Sequence, residues 1–296
     1  TVSTIPEQAT IPGSINGVKN ISYKAKRLSF ELDKDIVSKI NNFCRENKIS
    51  TFNFFMAIFS IYIGRVSNID DFVIGTPILN RSNFKEKHTT GMFINTVPIR
   101  FENVNDGSFK NLASTVASKM MGILRHQKYS YNSILEDIRK EHSNIPNLYN
   151  ILISYQVTKA FDSELGNYKT DWIFNNYCAN DFNIHIYDIN DTGSLFIDYD
   201  YLIDKYSDDD VICIQNRIVN MVKQILANND INSCDIDIVT PEEKNTILNV
   251  FNNTNSNYPR DCMISQLFEK QVEKTPDSIA VVFGDDKLTY RQLNEK

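Results

Sequence analysis

The stretch from Phe52 to Val66 is apolar on nearly every side of a helical wheel. A helix with no polar face has to be buried, so the chain must supply enough other structure to cover it. Its longest apolar run, about Phe54 to Ile63, is shorter than the roughly 20 residues needed to cross a bilayer, so a buried core helix is expected and no membrane is an expected partner. The chain can provide that cover. It has 296 residues, 42% hydrophobic and 23% charged, which suits one large or two modest globular domains.

The elements around this helix are mixed. Residues 1–22 lack periodicity and contain Pro, Gly and Ser, and read as an extended connector. Lys26 to Leu32 alternates as a strand. Ile36, Val37, Ile40, Phe43 and Cys44 then recur at helical spacing behind Asp33 as N-cap, and Ser50 or Thr51 is placed to cap the buried helix. Phe72-Val73-Ile74 predicts a short strand ending in Gly75-Thr76-Pro77. A polar loop, Asn80 to Thr90, leads to a strand over Phe93 to Phe101 in which Pro98 points to a sheet edge or a bulge. Helices are predicted from Ser108 to Arg125 and from Asn132 to His142. Strands are predicted over Asn150–Val157, Trp172–Tyr177 and Phe182–Asp188. The last of these turns through Asn190 to Gly193 into Ser194–Tyr201. Ser207 caps a helix to Ala227, and Thr240-Pro241-Glu242-Glu243 has the features of a helix start. Asn252 to Tyr258 reads as a linker, followed by a helix, two short strands and the start of another helix. The class is α/β layered.

Recognisable chemistry is sparse. No glycine-rich phosphate loop, paired-histidine zinc motif or nucleophile elbow occurs. The formal net charge of −6 argues against nucleic acid as the main partner, because phosphate binding needs a basic face. Cys44, Cys178, Cys213, Cys234 and Cys262 are too widely spaced for a metal or redox pair and fit free thiols in a reducing compartment. Asp208-Asp209-Asp210 suits the positive end of a helix. Of the histidines, His88 falls in the polar loop, His142 ends a helix and His185 alternates within a strand. His126, beside Gln127, Tyr129 and Tyr131, is the best acid/base candidate of the four, although a helix-end hydrogen bond accounts for it better.

Four stretches resemble the condensation domains of non-ribosomal peptide synthetases, in order and spacing. Ile74-Gly75-Thr76-Pro77-Ile78-Leu79-Asn80-Arg81 resembles "IGTPxxxR". Gly91 to Arg100 resembles "GxFVNTxxxR". His126-Gln127-Lys128-Tyr129-Ser130-Tyr131-Asn132 resembles "HQDYPFE", and Arg139 to Leu148 loosely resembles "RDxSRNPL". Near the end, Thr275-Pro276-Asp277-Ser278-Ile279-Ala280-Val281 and Leu288-Thr289-Tyr290-Arg291-Gln292-Leu293 resemble the opening of an adenylation domain, whose first core motif is "LTYxEL".

The resemblance implies a fold like that of chloramphenicol acetyltransferase, in which two similar α/β halves enclose a tunnel. It divides this chain into a connector from the N-terminal half (1–22), the C-terminal half of a condensation domain (23–240), a linker (241–260) and the start of an adenylation domain (261–296). The implied activity is peptide bond formation between substrates held as thioesters on the 4'-phosphopantetheine of upstream and downstream carrier domains. The implied partners are those carriers, the N-terminal half and the rest of the adenylation domain, in the cytoplasm.

The family's catalytic His-His-x-x-x-Asp-Gly is not in this sequence, which has no consecutive histidines. The resemblance therefore assigns no catalytic residue here, and the chain alone is expected to be inactive. Arg81 is implied to pair with the motif's aspartate across the halves, and the loop from Asn80 to Thr90 to form the tunnel floor. Asn95 and Thr96 are implied to line the tunnel. Gly75, Pro77, Gly91, Arg100, His126, Gln127 and Tyr131 are implied to be structural. No cofactor is expected on this chain, since ATP and magnesium belong to a complete adenylation domain. Two alternatives stay open: a non-catalytic carrier-binding scaffold, and an epimerisation-type domain of the same fold.

Overall fold

The computed structural model describes residues 5–15, 22–157, 172–188 and 193–296. It separates into two compact units, Thr1–Pro241 and Glu242–Lys296. The first is built on a six-stranded sheet with order β1-β6-β5-β4-β2-β3, whose strands are β1 (Ala25–Glu31), β2 (Asp71–Ile78), β3 (Asn95–Glu102), β4 (Ile151–Val157), β5 (Phe182–Asp188) and β6 (Phe196–Leu202). β4 runs parallel to β2 and to β5, and the other pairings are antiparallel.

Four helices pack together on one face: α1 (Lys34–Glu46), α2 (Thr51–Ser67), α4 (Phe109–Arg125) and α6 (Asp208–Ala227). α2 is the expected buried helix. Every residue from Asn53 to Gly64 is buried, and Phe54, Phe55, Met56, Ile58 and Ile61 share a core with Ile74, Ile99, Ile184, Tyr199 and Ile218. Each such side chain is worth about 1.5–3 kcal/mol on full burial. The helix starts are those the sequence specifies: Asp33, Ser50, Ser108 and Ser207 each accept a first-turn N–H. Ser207 and Asp210 complete a capping box.

The opposite face of the sheet is covered at its two ends. Over β2 and β3 lies α5 (Tyr131–Glu141), with Val73, Leu135, Leu148 and Tyr149 forming a second small core. Over β1 and β6, Phe174 and Cys178 pack on Ala25 and Leu202.

Several expectations are corrected. The strand expected to stop at Ile74 continues through Gly75, Thr76 and Pro77 to Ile78. Pro77 sits one residue from the strand end, where a missing N–H interrupts little of the ladder. Trp172–Tyr177 is not a strand. Its Asn175 side chain accepts from the Tyr177 N–H and Asn176 adopts φ +63°, so the chain turns there, leaving a single bridge between Lys24 and Tyr177. A short helix, α3 (Phe84–Lys87), interrupts the polar loop. Pro98 does sit in an edge strand, since β3 ends the sheet. The turn expected at Asn190–Thr192 lies outside the described residues.

Residues 5–15 are extended as expected, yet they are part of the domain rather than a free connector. Ala9 and Ile11 are buried in the main core, the Tyr206 hydroxyl donates to the Ile11 carbonyl at 2.9 Å, and Ser14 donates to Asp210.

The second unit contains most of α7 (Pro241–Asn245), a π-helical turn over Thr246–Val250, α8 (Ile264–Lys274), a hairpin of β7 (Ile279–Phe283) and β8 (Asp286–Thr289), and α9 (Tyr290–Glu295). Thr289 and Gln292 form a capping box, and Tyr290 lies against Phe268. No single helix among the described residues is long and apolar enough to cross a membrane.

Candidate functional site

The four condensation-like stretches meet at one residue, Tyr149. Its ring lies over Gly75: a Cβ added there would come within 2.6 Å of three of the ring carbons. A glycine inside a strand marks such a close approach. Thr96 leaves the sheet on the same face, opposite Pro77 and two residues along β3 from Pro98, the ladder partner of Gly75. The Tyr149 ring packs 5.1 Å from that of Tyr131, whose own hydroxyl accepts the Leu148 N–H at 3.0 Å. Arg139 folds the chain back just before it, donating to the carbonyls of Ile145 at 2.9 Å and Pro146 at 2.7 Å. Burial pushes the Tyr149 phenol up to about 12. Tyr149 itself directly follows the fourth stretch and lies outside every motif the sequence offers.

Thr96 and Asn95 leave β3 on opposite faces, as adjacent strand residues must. Thr96 is half-buried and leaves the strand on the face that Gly75 and Tyr149 share. The Asn95 amide donates to the carbonyls of Gln127 (3.0 Å) and Tyr129 (2.9 Å). It ties β3 to the turn between α4 and α5, so the two residues do not line one surface. His126 ends α4 and its backbone N–H bonds Ile123 at 2.9 Å. Its side chain borders an apolar cavity of about 260 Å³ with Val97, Pro98, Gly122, Ile123, Tyr129 and Ile134. Arg100 forks onto Asp71 of β2 at 2.7 and 2.5 Å.

Arg81 organises its own loop. Its guanidinium donates to the carbonyls of Glu86, Thr89 (2.6 Å) and Gly91 (2.7 Å), and lies 4.2 Å over the Phe93 ring. Gly91 sits at φ +141°, a conformation that favours glycine. Lys128 reaches in from the α4–α5 turn to Glu86 and to the Asn80 carbonyl. Hydrogen bonds from Lys128 and the Ser82 backbone hold the Glu86 carboxyl down at about 2. The loop is thus braced from within while Leu79, Phe84, Met92 and Ile94 stand exposed, Met92 by 91%. Asn80 Oδ1 is buried without a hydrogen-bond partner.

A second constellation is not legible in the sequence at all. On the same sheet face, four strands bring together Arg27, Ser154, His185, Asp198 and Asp200. Arg27 forks onto Asp200 at 2.6 and 2.8 Å and reaches Asp198 at 3.1 Å. His185 Nε2 lies 3.1 Å from Asp200, and its Nδ1 lies 2.7 Å from the Ser154 hydroxyl. Trp172 covers the group, its ring 4.9 Å from His185 and 5.3 Å from the Arg27 guanidinium. Burial would raise the Asp200 carboxyl, but the hydrogen bonds from Arg27 and His185 outweigh it and hold Asp200 below the usual carboxylate range. Although serine, histidine and aspartate are in line, both imidazole nitrogens are engaged and Ser154 is only 1% exposed. The network therefore serves as a brace rather than as a nucleophile. His88 and His142 are also local, His88 bonding the Phe84 carbonyl and His142 capping α5. Among the described residues no group of three or more His, Cys, Asp or Glu could hold a metal.

This geometry is a half-open α/β layer of the chloramphenicol-acetyltransferase type, with helices on one face and a partly covered second face. Condensation domains are among the solved structures it resembles. It superposes on holo-AB3403, a four-domain non-ribosomal peptide synthetase bound to AMP and glycine, with TM-score 0.79 at 17% identity, covering 98% of this chain and 23% of that one. The condensation domain of the Monacolin K polyketide synthase MokA gives TM-score 0.66 at 18% identity, covering 79% of this chain and 55% of that one.

The condensation-domain family model matches residues 3–248, and this chain belongs to that family. Among curated proteins, surfactin synthase subunit 1 of Bacillus subtilis (strain 168) is 34% identical over 276 residues, 93% of this chain and 8% of that protein. Bacitracin synthase 2 of Bacillus licheniformis is 27% identical over 276 residues, 93% of this chain and 11% of that protein. The chain thus spans about a tenth of these relatives' length.

Proposed function

We propose that this chain is the acceptor-side half of a condensation domain that joins two carrier-bound thioester substrates by a peptide bond. The catalytic histidine would be supplied by the other half of the domain. The observation that carries this reading is the convergence of four motif stretches on Tyr149, which sets Thr96 on a half-covered sheet face beside a loop whose apolar tips are exposed. The 55% coverage of the MokA domain supports it, since close to half of the matched domain has no counterpart here. So does the absence of consecutive histidines.

In this reading the carriers present both substrates on phosphopantetheine, and the loop from Leu79 to Ile94 packs on the other half and completes the tunnel floor. Arg81 holds that loop in shape through three carbonyls, and in this reading its guanidinium also pairs with a carboxylate of the other half. The second unit reads as the opening of an adenylation domain. The match to holo-AB3403 extends over 98% of the chain, against 79% for the MokA condensation domain, which supports a continuation beyond the condensation fold.

The test is a condensation assay with loaded upstream and downstream carriers, using this chain alone and then with the other half of the domain added in trans. Product is expected only from the mixture, and it should fall sharply with Arg81→Ala. Product from this chain alone would overturn the reading.

A further inference from the structure

The loop from Leu79 to Ile94 exposes several apolar side chains, and such a loop gains by folding them back onto its own domain. Lys128, in the turn between α4 and α5, opposes that collapse. Its ammonium reaches Glu86 Oε1 at 2.8 Å and the Asn80 carbonyl at 2.9 Å. Glu86 is the loop's meeting point. Its other carboxylate oxygen accepts the Ser82 N–H at 2.7 Å and the Ser82 hydroxyl at 3.0 Å, and its carbonyl accepts from Arg81. Asn80 adopts φ +52° just after β2 ends at Ile78, so its carbonyl marks where the loop departs. Lys128 is itself aimed. The carbonyls of Gln127 and Tyr129, on either side of it, both accept from the amide of Asn95, the residue where the loop enters β3. One short turn therefore grips the loop at its start through Asn80, in its middle through Glu86 and at its end through Asn95.

Resting on the condensation reading above, we propose that Lys128 is a positioning residue: by clasping Glu86 and Asn80 it fixes where the loop presents its apolar tips to the other half of the domain. Lys128 touches no substrate in this scheme. A loop ordered before the halves meet spares the junction the cost of ordering it. An ammonium suits the task because its three donors can serve acceptors in different directions, here a carboxylate and a backbone carbonyl. Hydrogen bonds from Lys128 and the Ser82 backbone hold the Glu86 carboxyl down at about 2, so Glu86 is ionised and the clasp is closed at neutral pH. The pair is open to solvent, the Lys128 side chain by 50% and that of Glu86 by 21%, so salt weakens it. That sensitivity separates a clasp made of charge from one made of packing.

The first arm of the experiment uses this chain and follows hydrogen exchange at the amides of residues 82–91. Lys128→Met keeps an unbranched stem and removes the charge. Exchange there should quicken by about two- to fivefold, the scale of a partly exposed ion pair, with the melting midpoint unchanged. Sodium chloride at about 1 M, where the Debye length falls to ~3 Å, should bring the parent loop to the level of the variant and leave the variant as it was. Lys39→Met, which breaks an exposed pair with Asp35 on α1, is the control and should not move the loop. The second arm uses the longer polypeptide that supplies both halves, with loaded carriers. Lys128→Met should lower kcat by about two- to fivefold and leave the dependence on each carrier's concentration unchanged, and Lys128→Arg should restore the rate. Glu86→Gln should cost the same, and the double variant no more than either single, because both remove one shared interaction. Should Lys128→Met fail to fold, Glu86→Gln carries both arms in its place. Exchange at 82–91 that stays with the parent, a loosened loop with unchanged kcat, or losses that add would overturn the proposal while leaving the condensation reading in place. A parent polypeptide that forms no product from loaded carriers would overturn both.

Discussion

The contact between Gly75 and Tyr149 makes a sharp prediction. An alanine at Gly75 would place its Cβ within 2.6 Å of two ring carbons of Tyr149 and closer still to a third. The ring cannot retreat easily, because Tyr131 and the Val73–Leu135–Leu148 core lie around it. Overpacking of this kind costs about 1–3 kcal/mol. In a domain of this size each kcal/mol lowers the melting midpoint by about 2–4 °C, so Gly75→Ala should lower it by roughly 2–12 °C. The chain contains one tryptophan, Trp172, within the first compact unit, and its fluorescence reports the unfolding of that unit. The decisive variant is the pair. Tyr149→Ala alone should cost about 3–5 kcal/mol through the cavity it leaves. In that background the new methyl group of Gly75→Ala meets no ring, and the effect should reverse to a gain of about 0.5–1 kcal/mol, because alanine loses less backbone entropy than glycine in a strand. A Gly75→Ala protein that melts with the parent would refute the reasoning. So would a penalty that persists once Tyr149 is removed, since the cause would then lie in the backbone at residue 75.

Two further predictions concern the braces. Asp200 is held below its ordinary range, so its contribution to stability is present above the unfolded carboxylate value of about 4 and is lost as pH falls through the lower folded value. Asp200→Asn should therefore destabilise the protein at pH 7 by about 3–5 kcal/mol by leaving Arg27 and His185 short of a partner, and should flatten the acid side of the stability profile followed through Trp172. Equal stability of the two proteins at pH 7 would show that the network carries no net weight. Asn95→Ala removes two bonds to the α4–α5 turn and should cost about 1–3 kcal/mol. Hydrogen exchange should quicken at the amides of residues 127–130 and stay unchanged in β4 and β5, and an unchanged turn would show that Lys128 and packing suffice to hold it.

What the sequence discloses, and what it withholds, follows from the range of the interactions concerned. The helix starts at Asp33, Ser50, Ser108 and Ser207 are readable because a cap acts within three residues. The buried helix is readable because an all-round apolar pattern has one stable outcome. The strand end at Ile74 is misleading because Gly75 and Pro77 are usually breakers. Gly75 is there to admit a ring from residue 149, and that reason lies 74 positions away along the chain. The segment Trp172–Tyr177 looks like a strand because aromatic residues favour strands, but Asn175 and Asn176 turn it. The Arg27–Asp200–His185–Ser154 network is illegible for a stricter reason. Its members sit on β1, β6, β5 and β4, and no spacing within one segment relates them. Only the strand order and a register that places His185 opposite Asp198 and beside Ser154 bring them together. A one-residue slip in either pairing would turn His185 to the helix-covered face and replace the network with a buried unpaired carboxylate. That error would cost several kcal/mol. The network therefore does for register what the hydrophobic alternation does elsewhere in the sheet.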